Sequence, residues 1–164
     1  MRKIVLFSFP VLMLVFTFQA CQQTTQQTTF ETQWLGETRE EILDNIEEQF
    51  QGFSRTMMET AYRYHELYWA GMDQNWEYAE YQREHIEEAM DQGFIRRPER
   101  KQSAQQFMQQ ALPQMEKAIE EANPEVFMAA FTNLTASCNT CHAMEGVSFM
   151  TIKIPPKRNT VVYF

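Results

Sequence analysis

The chain has 164 residues, 14 basic and 22 acidic side chains and a net charge of −8 at pH 7. So acidic a surface argues against nucleic acid as a partner and for a protein partner with a basic patch, although acidic helix faces also simply keep a domain soluble. The three cysteines include one pair three residues apart, which is no disulfide framework.

Met1-Arg2-Lys3 opens the chain, Ile4 to Phe18 is almost wholly apolar, and Ala20-Cys21 follows. A basic start, an apolar stretch and a small residue at the cut predict a signal peptide over residues 1–20. The apolar run falls short of the roughly 20 residues that span a bilayer, so a transmembrane helix is the weaker reading. Ala20-Cys21, followed by the polar run Gln22 to Thr29, resembles the lipobox of bacterial lipoproteins. That resemblance implies that Cys21 becomes the lipidated first residue, held by the two or more acyl chains that stable anchoring requires. The alternative is an ordinary signal peptide. Residues 21–36, rich in Gln and Thr, are expected to be a flexible tether.

From Thr38 the pattern is helical. Thr38-Arg39-Glu40-Glu41 has the form of a capping box. Ile42, Ile46, Phe50, Phe53, Met57, Ala61, Tyr64 and Tyr68 then recur at steps of three and four, predicting one helix that stops at Gly71. Asp73 or Asn75 caps a second helix holding Trp76, Ala79, Ile86 and Met90, with an end near Gly93. A third runs from about Pro98 or Ser103 to Ala122, with a kink or break expected at Pro113. Asn123-Pro124-Glu125 combines a capping Asn, Pro at the first helical position and an acid at the positive end of the dipole. The fourth helix follows, with Phe127, Ala130, Phe131, Leu134, Cys138 and Cys141 on one stripe and Gly146 as its end. The expected fold is all-α: an antiparallel, up-down-up-down four-helix bundle over residues 37–146. Residues 147–164 are expected as an extended tail strapped on it.

Cys138-Asn139-Thr140-Cys141-His142 is the attachment pattern of c-type haem. Positions three apart share a helix face, so both thiols reach one porphyrin edge, and His142 is placed as the proximal iron ligand. Three other readings compete. A thioredoxin-like pair belongs near a βαβ unit, and the pattern is helical throughout. A zinc site would lack its fourth ligand. A plain core cysteine pair ignores the export signal. One covalent haem c, bound through Cys138, Cys141 and His142, is therefore expected.

CNTCH in the last helix of a bundle, with 22 residues after it, resembles cytochrome c′ and its low-spin, methionine-ligated relatives, the class II c-type cytochromes. The resemblance covers residues 38 to 146, and the tail after Gly146 departs from it. Arg63-Tyr64-His65-Glu66-Leu67, Ala70-Gly71 and Asn75-Trp76 also look like a group of uncharacterised bundle cytochromes of bacterial envelopes. The class II resemblance implies a distal residue from the first helix, either a methionine ligand or an apolar side chain over an open iron. His142 lies 17 residues beyond Glu125. The same depth counted back from Gly71 falls near residue 54, and one turn of tolerance spans about 50 to 58. Met57 and Met58 fall inside, and Met58 is preferred because it shares a face with Ala61 and His65. Core packing is the competing role for either methionine. His65 lies too high to ligate, His85 sits on a charged stretch, and Met144 and Met150 follow the motif too closely to cross to the distal side. The aromatic corner from Tyr62 to Tyr81 is expected to be core packing.

The expected function is a one-electron carrier, lipid-anchored on the periplasmic face of a bacterial membrane. The alternative is a five-coordinate haem protein that binds NO or CO as sensor or scavenger. Paired catalytic acids, a nucleophile with its base and a phosphate loop are not legible, so no enzyme is expected. The oligomeric state, homodimer included, stays open.

Overall fold

The computed structural model describes residues 33–159 and Val162. The expected signal peptide, Cys21 and most of the tether lie outside the described residues. The chain divides into two compact units, Met1–Asn45 and Ile46–Phe164.

In the first unit a 3-10 turn, Gln33–Leu35, precedes helix α1, Arg39–Phe50, which continues into the second unit. The expected capping box forms. The Thr38 Oγ1 accepts from the Glu41 N–H at 3.2 Å, and the Glu41 carboxylate accepts from the N–H groups of Thr38 and Glu37 at 3.1 and 2.8 Å. Those backbone donors favour the ionised form and hold the Glu41 carboxyl below its ordinary range.

The single helix expected from Thr38 to Gly71 is two. Helix α1 ends at Phe50, and α2 spans Phe53–Met72. Gln51 takes a left-handed φ of 58°, and Gly52 begins the next helix without a side-chain cap. The apolar periodicity runs across this joint, which is why the sequence conceals it; Phe50 is 60% exposed and α1 has no buried residue.

Three further helices complete the second unit: α3, Trp76–Arg96; α4, Leu112–Glu120; and α5, Pro124–Met144. Among the described residues there is no strand. Helix α2 packs on α3, α3 on α4, α4 on α5 and α5 on α2, an arrangement compatible with a helical bundle. Its core holds Leu67, Ile86, Leu112, Met115, Phe127, Phe131 and Leu134. The Asn75 side chain caps α3 through the Tyr78 N–H, and that of Asn123 caps α5 through the N–H groups of Glu125 and Val126.

Neither interior glycine ends its helix. Gly71 lies one residue inside α2, where a Cβ would collide with the Phe127 ring. At Gly93, three residues inside α3, a Cβ would lie 2.6 Å from Thr56 and 2.8 Å from Phe53. Both are sites of close helix approach.

Pro113 has the disruptive effect its chemistry demands. A π turn, Phe107–Ala111, precedes α4, and the Leu112 N–H bonds to the Phe107 carbonyl five residues back. A proline has no N–H to donate and its ring crowds the carbonyl four residues earlier; widening the turn by one residue relieves that crowding.

Gly146 terminates α5 with φ 73°. The Val147 N–H donates to His142 O at 2.9 Å and the Gly146 N–H to Ala143 O at 3.2 Å, the paired bonds of a Schellman motif. A turn from Val147 to Met150 follows, closed by Met150 N–H to Val147 O at 2.9 Å. Further along, Arg158 pairs with Asp73 at 2.5 Å and lies 4.8 Å from the centre of the Trp69 ring.

Candidate haem site

Cys138, Cys141 and His142 line one apolar pocket, with an open volume of about 620 Å³ including its mouth. Helix α2 contributes Phe53, Met57, Thr60, Ala61 and Tyr64 to the same pocket, and Met90, Phe107 and Ile152 complete it. A helix places positions 138 and 141 on one face, and 142 lies one step on, so α5 presents all three motif side chains together.

Cys138 and Cys141 are not joined in a disulfide. Burial, with a smaller contribution from Cys141, pushes the Cys138 thiol up to about 12. A disulfide-exchange cysteine needs the opposite, a thiolate stabilised by positive charge or a helix N-terminus. Cys138 is thus poorly suited to act as an attacking thiolate.

His142 is oriented from outside the motif. Its Nδ1 lies 2.6 Å from the Met150 carbonyl oxygen. A carbonyl only accepts, so Nδ1 carries the proton and Nε2 holds the free lone pair. That is the tautomer a metal-binding imidazole needs, with its second nitrogen tied down. Among the described residues no group of three or more His, Cys, Asp or Glu could hold a bare metal ion. Haem makes no such demand, since the protein supplies only the axial ligands. Two thiols, an oriented imidazole and an apolar chamber fit that group.

The two candidate distal methionines part company. Met57 lines the pocket, whereas Met58 is 64% exposed and belongs to no part of its wall. One residue along a helix is a rotation of about 100°, enough to move a side chain from lining to solvent. Of the two, Met57 is the one placed on the pocket wall. Ala61, expected to share a face with Met58, lines the pocket with Met57.

No protein-family model, curated protein or solved structure matches this chain.

Around the pocket lies a layer of polar contacts that the sequence did not disclose. The Tyr64 hydroxyl lies 2.7 Å from the Thr135 hydroxyl and 3.3 Å from Lys153 O, and the Thr135 hydroxyl lies 2.7 Å from Phe131 O, three contacts that share two hydroxyl hydrogens. Burial pushes the Tyr64 phenol up to about 12. A second hollow shares Ala61, Tyr64 and Ile152 with the pocket and is edged by His65, Lys153 and Lys157. His65 Nε2 sits between the Lys157 carbonyl at 3.1 Å and the Trp69 indole N–H at 3.3 Å, and lies outside the pocket, as its level on α2 predicts. His85 rests on the Tyr81 ring with centroids 4.0 Å apart. The aromatic corner is mixed: Tyr64 is buried, while Tyr62 and Tyr81 are largely exposed. Met150, discounted as a side chain, enters through its backbone oxygen. A carbonyl leaves no mark in a sequence; the left-handed Gly146 that turns the chain toward it was the available signal.

Proposed function

We propose that this chain is a monohaem c-type cytochrome acting as a one-electron carrier. What supports this most is the gathering of Cys138, Cys141, His142 and Met57 around one apolar pocket. Cys138 and Cys141 would hold the haem through thioethers, His142 Nε2 would be its proximal ligand and Met57 its distal one. Bound there, haem supplies a reversible one-electron couple, and a thioether ligand favours the ferrous side. Phe53, Met90 and Phe107, which line the same pocket, would keep water from the bound group. Lys153 and Lys157 supply positive charge beside the pocket for the carboxylate edge of such a cofactor. With Met57 available as a sixth ligand, electron transfer is favoured over gas binding, and no enzymatic role is assigned.

The remaining features complete the same proposal. The second unit's helices run up-down-up-down, consistent with the short connection between Met72 and Trp76, and the tail straps the site. Cys21 carries the lipid that holds the protein to the periplasmic face of a bacterial membrane. Among the described residues no helix is long and apolar enough to cross one.

The test is expression in a host with a working c-type haem attachment system. Wild-type protein should keep haem-dependent peroxidase staining on a denaturing gel, and the Cys138→Ser, Cys141→Ser double variant should lose it. A haem-free wild type would overturn the proposal. A haem protein that is high-spin and binds carbon monoxide at once would replace the carrier by the gas binder.

A further inference from the structure

We propose that Asn139, inside the CNTCH motif, is a positioning residue that clips the tail against α5 and so sets the electron-donating strength of His142. The inference rests on the haem reading above. The Asn139 Oδ1 accepts from the Ile152 N–H at 2.8 Å, and its Nδ2 donates to the Ile152 carbonyl at 2.9 Å. The carboxamide thus pairs with both backbone groups of one tail residue, as a neighbouring strand would. The second Nδ2 hydrogen goes to Thr135 O at 3.1 Å. This fixes which way the amide faces, because the flipped amide would set its NH₂ against the Ile152 N–H.

Two residues before Ile152, the Met150 carbonyl accepts from His142 Nδ1 at 2.6 Å. The segment carrying that oxygen is anchored at both ends. The Schellman turn at Gly146 starts it, and the Asn139 clip stops it after one short loop. Met150 and Phe149 are exposed, so packing of their side chains contributes little to holding the carbonyl in place. A hydrogen bond from the far nitrogen raises the basicity of a ligating imidazole, and such contacts tune a haem's potential. Asn139 therefore acts on the iron through two intermediaries, the tail backbone and His142.

The experiment uses full-length, haem-loaded protein and compares wild type, Asn139→Ala, Gly146→Ala and Thr140→Ala. Gly146→Ala disturbs the other anchor, since alanine disfavours φ 73° although its Cβ would meet no atom within 4 Å. Thr140, the other variable residue of the motif, bonds only to Ala136 O one turn back and is the control. Reduction potential is measured by spectroelectrochemistry, and the Nδ1–H of His142 is followed in ¹⁵N-histidine-labelled reduced protein. Asn139→Ala and Gly146→Ala should raise the potential and speed exchange of that proton with haem still attached; Thr140→Ala should change neither. Haem-loaded Asn139→Ala with wild-type potential and exchange would overturn the clip. If that variant does not fold, the same null result from Gly146→Ala overturns it. A wild type without haem would instead overturn the functional reading beneath it.

Discussion

Helix α5 passes through two regions built to opposite specifications. In its first half Phe127, Phe131 and Leu134 are wholly buried, and the Phe127 ring fills the space left by the missing Cβ of Gly71. In its second half Cys138, Cys141 and His142 are only half-buried and border open volume, although Ala61 on α2 is also small. A small residue on α2 thus has two meanings. At position 71 it admits a neighbour's side chain, and at 61 it faces a chamber. Close packing is the default of protein interiors, so an apolar chamber beside Cys138, Cys141 and His142 is what sets the second half apart.

The largest expected effect breaks the closed half. Phe127→Ala should cost about 3–5 kcal/mol in urea unfolding. Gly71→Ala should be destabilising in the wild type by about 1–3 kcal/mol, because the new methyl meets the Phe127 ring. In the Phe127→Ala background the same change should become stabilising by up to about 1 kcal/mol, the helix preference of alanine over glycine. A double-mutant cycle reads that sign reversal directly; additive effects would show that the ring and the glycine are not coupled.

In the open half, Met57→Ala should cost less stability but change the spectrum. The haem-loaded variant should lose the weak long-wavelength band of an iron–sulfur bond, become high-spin, bind carbon monoxide and fall in potential. Met58→Ala should leave all four unchanged. The reverse result would restore Met58 as the distal ligand. Ala61→Phe should fill the chamber, lowering haem loading per chain while leaving the helical circular dichroism of the haem-free protein near wild type.

The smallest effect is a pH difference. Burial raises the Tyr64 and Tyr78 phenols from 10.0 to about 12, and the Cys138 thiol from 9.0 to about 12. These acids are held protonated by folding, so their contribution is complete below the unfolded values and lost as pH rises toward 12. Haem-free protein should begin to lose stability near pH 9. In haem-loaded protein the Cys138 proton has gone, replaced by a thioether, and the decline should begin nearer pH 10. Urea midpoints between pH 8 and 11 measure the offset.

What could be read in advance was local. The Asn123-Pro124 start, the Thr38–Glu41 box and the Gly146 end each lie within a few residues. The bundle core on α5 followed from simple periodicity. Long-range placement was harder. Met57 and Met58 differ by one rotation step, and a stripe wide enough to include both cannot choose between them. Gly71 and Gly93 resemble helix stops in a linear reading, yet each exists for a partner distant in the chain. The joint at Gln51–Gly52 carries no proline, and the stripe continues across it. The carbonyl of Met150 has no side-chain signature at all.

The π turn at Phe107–Ala111 is slack in the chain's winding. It accommodates one residue more than an α-helical path between the same points, and Phe107, its first residue, lines the pocket. Deleting one residue among Met108, Gln109 and Gln110 would restore ordinary winding with both flanking faces in register, and would bring back the crowding between the Pro113 ring and the carbonyl four residues before it. The extra residue is thus the slack that lets a proline sit in this run without turning Phe107 off the chamber wall, and a one-residue deletion should lose stability in urea unfolding while keeping that wall.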